Sequence, residues 1–187
     1  ERDHIYFGTV LEHILLQNLC AFYDVGEHNE MRLHGADWND ALDMAWEKGE
    51  SVAFTCAYAG NLRNIAKTLR QLEEISGSSK IEIAHEMEDL LAGSVELYED
   101  AARKQALLAG YAKKCEHNIS GDTIVVRLDQ LAANLEGKAD WMMKNIRANE
   151  WVKDGEDGWF NGYYDNHGRK VEGVMDESVR MMLTGQV

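Results

Sequence analysis

The stretch LHGADWNDALDMAWEKGESVAF, residues 33–54, passes from a glycine-containing loop into a helical pattern, and its centre is Ala36-Asp37-Trp38-Asn39-Asp40. Three polar side chains flank one indole. A carboxyl held beside such a ring is kept from water, which disfavours the carboxylate and raises its pKa. An indole also offers a flat apolar face with an N–H that still donates, a surface suited to a sugar ring. A plainer reading makes Asp37 or Asn39 the N-cap of a polar helix start.

Outward from this stretch the chain reads as helices. Residues 4–22 place Ile5, Val10, Leu11, Ile14, Leu15, Leu19 and Phe22 at helical spacing. Residues 24–39, with Gly26, Asn29 and Gly35, form a loop that delivers the acidic-aromatic string, and a short helical turn follows through Trp46. Ser51 is a plausible N-cap for a helix over 51–75 whose apolar face is Val52, Phe54, Ala57, Tyr58, Leu62, Ile65, Leu69 and Leu72. Ser76-Gly77-Ser78-Ser79 ends it. Residues 81–116, rich in Ala, Leu, Glu and Lys, predict a third helix, bent at Gly93 or Gly110. A turn at 118–122 and a short strand at 123–128 lead into a fourth helix over 129–149, with Leu131, Leu135, Ala139, Met142, Met143 and Ile146 inward. From Glu150 onward glycine and aromatics rise. Residues 159–164 and 170–172 predict a hairpin turning at Asn166-His167-Gly168.

Composition narrows the function. The 187 residues are 45% hydrophobic and 28% charged, a globular balance that one core can bury. Lys+Arg 19 against Asp+Glu 33 gives a formal net charge of −14, which disfavours nucleic acid and anionic membrane as partners. No apolar run reaches the roughly 18 residues that a membrane span needs. Cys20, Cys56 and Cys115 are odd in number and show neither metal nor disulfide spacing, so free thiols in a reducing, cytoplasmic setting are expected. Glu27-His28 and Glu116-His117 are the nearest thing to a metal signal, and a solvated surface accounts for them, so no metal is expected. The chain starts Glu1-Arg2-Asp3 and closes on Val187 inside an LTGQV string, and both ends are expected to be cuts within a longer protein.

Residues 33–54 resemble the catalytic loop of glycoside hydrolase family 94, the cellobiose and chitobiose phosphorylases. Members carry an A-D-W-N-D or G-D-W-N-D string followed by a G-E-S run and a long helix, and Gly49-Glu50-Ser51 stands at that place here. A second stretch, DGWFNGYYDNHGRKVEG over 157–173, is similar to the family's G-W-F-x-x-x-Y-D-x-x-G-x-x-V-G, and LTGQ over 183–186 sits where the cellobiose branch has an L-N-P-Q-like string. The matches fall in the family's order and span most of the chain, and ADWNDALDMA with GWFNGYYDN is closest to the β-1,2-oligoglucan branch.

The resemblance implies a mainly α fold: an internal piece of one (α/α)6 toroid with a small hairpin near its C-terminal end. It implies Asp40 as the general acid. In this chemistry an acid protonates the leaving oxygen while inorganic phosphate, already anionic, attacks the anomeric carbon and inverts it, so a β-linked gluco-oligosaccharide yields α-glucose 1-phosphate without a base carboxylate or a cofactor. Trp38 is expected beside the donor sugar, and Asn39 on the sugar or the loop. Asp37 competes for the acid's role or closes the loop, and Asp43 is a solvated helix residue. The phosphate-binding residues of the family belong beyond Val187, so Thr184-Gly185 is not assigned to phosphate. Trp159, Phe160, Tyr163 and Tyr164 form either a sugar-stacking strip or one buried face. Alternative functions are an inverting hydrolase, the phosphorolytic domain of a cyclic β-1,2-glucan synthase, and a non-catalytic helical carbohydrate-binding scaffold. Half a toroid should leave an apolar face open, so the isolated chain is expected to be inactive and to self-associate, as a homodimer or larger.

Overall fold

A computed structural model describes residues 5–35, 40–175 and 178–180. It is mainly helical, with small antiparallel sheets. Helix α1, Val10–Tyr23, begins later than the apolar spacing suggests. Thr9 Oγ1 accepts from the Glu12 N–H at 3.1 Å and the Glu12 side chain returns to the Thr9 N–H, a capping box that fixes the first turn. Ile5 and Val10 lie ahead of the packed face and are exposed.

Helix α2, Val52–Ser76, starts on the predicted cap: Ser51 Oγ accepts from the Phe54 N–H at 3.0 Å. It stops at Gly77, whose φ of 68° only glycine adopts without cost. Its partner is helix α5, Leu128–Asn149, which runs antiparallel along it. Ala59, Leu62, Ala66 and Leu69 meet Leu131, Leu135, Ala139 and Met142 in the same buried cluster, joined from α1 by Leu15, Leu19 and Phe22. Ala59 and Ala66 lie in the seam, whereas Ala57 and Leu72 of the predicted face are exposed. Exposed pairs Arg63–Asp140, at 2.6 Å, and Arg70–Glu136 rim the seam.

The predicted helix over 81–116 is not one element. Ile81 and Ile83 alternate with charged residues, and strand β3, Lys80–Ala84, pairs antiparallel with β4, Thr123–Arg127, the strand the sequence predicts. A 3₁₀ helix at His85–Leu91 follows, then Gly93-Ser94 breaks the chain before α3, Val95–Glu99, and α4, Ala101–Cys115. Between α4 and α5 two lysines are buried, against the usual preference of that residue. Lys104 Nζ donates to Asn29 Oδ1 at 2.8 Å and lies 4.1 Å from the Phe22 ring centre. Lys138 Nζ donates to the carbonyl of Ala92 at 2.8 Å and to Asn134 Oδ1 at 2.7 Å. Burial pushes both ammonium groups down to about 7.

The chain end of α5 carries the remaining strands. β5, Trp151–Asp154, pairs with β6, Asp157–Phe160, while β8, Gly173–Met175, pairs with β9, Ser178–Arg180. The predicted hairpin over 159–172 is therefore divided. Trp159 and Phe160 pair backward with Val152 and Trp151, whereas Tyr163–Tyr164, strand β7, turns to a three-stranded sheet of order β1-β2-β7. In it, Met31–Arg32 is β1 and Glu50–Ser51 is β2. A single bridge from Tyr164 to Lys170 remains of the hairpin. Among the described residues no helix is long and apolar enough to cross a membrane.

Candidate functional site

Asp37, Trp38 and Asn39 lie outside the described residues, as does the side chain of Asp40; the Asp40 backbone opens a 3₁₀ helix, Asp40–Ala45. The residues on either side are described from His34 to Gly35 and from Asp43 onward. His34 and Gly35 take left-handed φ values of 48° and 93°, turning the chain away from β1. The Leu33 N–H donates to the Gly49 carbonyl at 3.0 Å, and Gly49 N–H to the Ala45 carbonyl at 2.9 Å. A Cβ on Gly49 would fall 2.2 Å from that same Ala45 oxygen, so glycine is required there. Leu33 and Gly49 are thus tied together where β1 meets β2.

The second family-like stretch completes this frame. Asn166 Oδ1 accepts from the N–H groups of Glu47, at 2.7 Å, and Lys48, at 3.0 Å, while the Asn166 N–H donates to the Met44 carbonyl at 2.7 Å. One residue of the downstream turn therefore fastens the end of the 3₁₀ segment. Asp165 fixes that turn by accepting from the N–H groups of His167 and Arg169 and from Arg169 Nε. Burial works against its carboxylate, but these donors, led by the Arg169 N–H, outweigh it and hold the pKa below the ordinary range. Glycines Gly155 and Gly168 take positive φ at the strand turns.

Behind the loop lie three buried carboxylates, Glu30, Glu50 and Glu150. Glu50 accepts from the backbone N–H groups of His28 and Glu30, and binds His28 Nδ1 at 2.7 Å. Gly26 makes room for it, since a Cβ there would stand 2.2 Å from the Glu50 carboxyl carbon. Glu150 accepts the Tyr164 hydroxyl at 2.8 Å and Asn161 Nδ2 at 3.1 Å, with Lys170 Nζ at 3.5 Å. Glu30 Oε1 accepts from Asn145 Nδ2 at 3.0 Å. Burial, with Glu150 and Glu50 nearby, pushes its carboxyl up to about 8 despite the donors Thr55 and Asn145. Glu30 therefore holds a proton at neutral pH, which is how a dry site tolerates a third carboxyl beside two others.

His28 was expected on a solvated surface beside Glu27, and the structure corrects this. Its ring stacks on Tyr164 with centroids 3.6 Å apart and planes 10° from parallel, Nδ1 is held by Glu50, and a Cβ on Gly168 would stand 3.2 Å from Cε1. The stack and the Glu50 bond fix the orientation of the ring. It stands where two cavities meet. One, about 470 Å³, is a cleft between the 26–28 turn, Glu47-Lys48 and the 166–168 turn; the other, about 880 Å³, is a groove between the start of α4 and the last turns of α5. Sequence reasoning missed His28 because its partners lie 22 and 136 positions away; the one local sign was Gly26, too small a signal by itself.

The aromatic strip does not assemble. Tyr163 packs with Leu33 and Ala45, and Tyr164 with Val52 and Ile146, in separate buried clusters on opposite faces of β7. Trp159 and Phe160 are half-buried, with Phe160 packed against the Tyr164 cluster and edge-on to Trp151. Asp43 is exposed, as expected. Among the described residues no three His, Cys, Asp or Glu side chains are placed to hold a metal ion. No known family model matches the sequence, and no curated protein matches it.

Proposed function

We propose that the chain carries the acid-bearing part of an inverting β-glycoside phosphorylase. Asp40 protonates the glycosidic oxygen as inorganic phosphate attacks the anomeric carbon of a β-linked gluco-oligosaccharide, releasing α-glucose 1-phosphate. The observation that supports this reading is the joining of the two family-like stretches: Asn166 of the second fastens residues 44–48 of the first. A loop tied at its neck and at its far end is what a proton donor needs, because general acid catalysis depends on placement within hydrogen-bond reach. The antiparallel pairing of α2 with α5 suits one segment of an (α/α)6 toroid, with the Asp40 loop at the end where α2 begins.

The test is phosphate dependence. The whole protein is incubated with β-1,2-, β-1,3- and β-1,4-linked glucose oligomers, with and without phosphate, and α-glucose 1-phosphate is measured. Release only with phosphate supports phosphorolysis, and Asp40→Asn should lower kcat by roughly 10²–10⁴. Free sugar released equally without phosphate would assign a hydrolase instead. Wild-type rates in the Asp40→Asn protein would remove Asp40 from the mechanism.

A further inference from the structure

A cavity of about 270 Å³ opens between the start of α1, the 3₁₀ helix at His85–Leu91 and the end of α4, and it shares no lining residue with the two cavities beside His28. Leu16, Ala84, Met87 and Ile119 make its apolar wall, and Tyr6 and Tyr111 add two phenol rings. Its acidic groups are Glu12 and Glu86, each 7% exposed. Among the described residues no lysine or arginine lines it, and its one histidine, His13, is exposed.

The two carboxylates are unequal. Glu12 is committed to the fold: Oε1 accepts from the Tyr6 hydroxyl and, at 2.9 Å, from the Ala84 N–H, while Oε2 accepts from the Thr9 N–H. Glu86 Oε1 accepts from the Ser120 N–H at 2.7 Å, but its Oε2 is buried with no hydrogen-bond partner among the described residues. Burial works against both carboxylates, yet the Tyr6 hydroxyl at Glu12 and the Ser120 N–H at Glu86 outweigh it and hold both pKa values below the ordinary range. Both are therefore ionised at neutral pH. A buried anionic oxygen left without a donor is destabilising, and an N–H from a ligand removes that penalty.

This lining selects a cation. Two negative charges with no lysine or arginine between them face a mostly apolar space, in a chain whose net charge of −14 attracts cations at long range. An ammonium bearing N–H groups supplies Glu86 with a charge-assisted hydrogen bond, and phenol rings favour a cation nearby. The apolar wall suits a hydrocarbon body. Pockets for drug-sized molecules run to roughly 300–1,000 Å³, so this one limits that body to a single ring or a short chain.

We propose that this cavity binds a small primary ammonium with an apolar body, its charge on Glu86 and its hydrocarbon against Leu16, Met87 and Ile119. No step at Asp40 enters, so the proposal stands or falls apart from the phosphorylase reading.

Calorimetry on the whole chain at neutral pH tests it with two amines, phenethylamine and hexylamine, each beside its neutral match, phenethyl alcohol and hexanol. At least one amine should bind, and at least tenfold more tightly than its alcohol. Glu86→Gln keeps the shape of the side chain and removes its charge, and Ile119→Trp narrows the cavity from an exposed position. Each should weaken amine binding at least tenfold, and Ile119→Trp decides the matter if Glu86→Gln does not fold. Failure of both amines to bind, an alcohol that binds as tightly as its amine, or unchanged amine binding in either folded variant overturns the site.

Discussion

The α2–α5 seam and the layer over residues 24–51 and 150–172 are built by different means. The seam is apolar side chains at helical spacing, with charged pairs only at its rim. The layer has strands of two to four residues, aromatic side chains divided between two small clusters, and buried carboxylates that accept from backbone N–H groups. Apolar packing is non-directional and tolerates local adjustment. A carboxylate accepting several donors is directional and fails if one partner is misplaced. The molecule thus uses a forgiving material for its frame and an exacting one where a side chain must be aimed.

The largest effect should come from the frame. Leu62→Ala in the seam should cost roughly 2–5 kcal/mol of stability, read as a lower midpoint in urea. A loss under 1 kcal/mol would mean that the seam is less tightly packed than its burial shows. Next, Glu50→Gln in the layer should cost about 2–3 kcal/mol, since a charged acceptor serving several donors becomes a neutral one. Hydrogen exchange should quicken around residues 26–30 and 47–51 while α2 and α5 stay protected. Uniform acceleration would erase the contrast between the regions.

Glu30 of the layer and the buried lysines of α4 and α5 should answer pH in opposite senses. The carboxyl of Glu30 is raised in the folded state, so its contribution is fully present below about 4.5, the ordinary glutamate value, and is lost as pH rises through about 8. Lys104 and Lys138 are lowered, so their contribution is present above about 10.5 and lost as pH falls through about 7. Together they predict a minimum in stability near pH 7–8. Glu30→Gln should flatten the acid limb of that curve, and Lys104→Met the alkaline limb; urea midpoints between pH 5 and 10 would show either. The smallest effect belongs to the rim: Arg63→Ala should change stability by less than about 1 kcal/mol, and less still in high salt.

The seam was legible because its signal is local and periodic. Leu131, Leu135, Ala139, Met142 and Ile146 recur on one face of α5, and Ser51 announces α2 by residue type alone. The segment 81–116 misled because Ala, Leu, Glu and Lys favour a helix, whereas Ile81 and Ile83 had a strand partner forty residues on that propensity does not see. In the layer, the short turn after Asp40 and the bend at 166–168 could be read. The function of Asn166 could not, since nothing near it in sequence names Glu47 as its partner. Nor could Glu30, because a lone glutamate in a polar loop ordinarily lies in water.

The Asn166 clamp spans 119 residues, from Glu47 to the downstream turn. On a ribosome adding about 5–20 residues per second, the loop bearing Asp40 waits roughly 6–24 s before its fastening residue exists. Within that interval Glu50 still lacks Tyr164, its partner in the strand that closes its sheet. Contacts of such separation are the slow ones to close in any chain. The segment that follows Asp40 is therefore fastened only after residue 166 has been made, later than every helix described here.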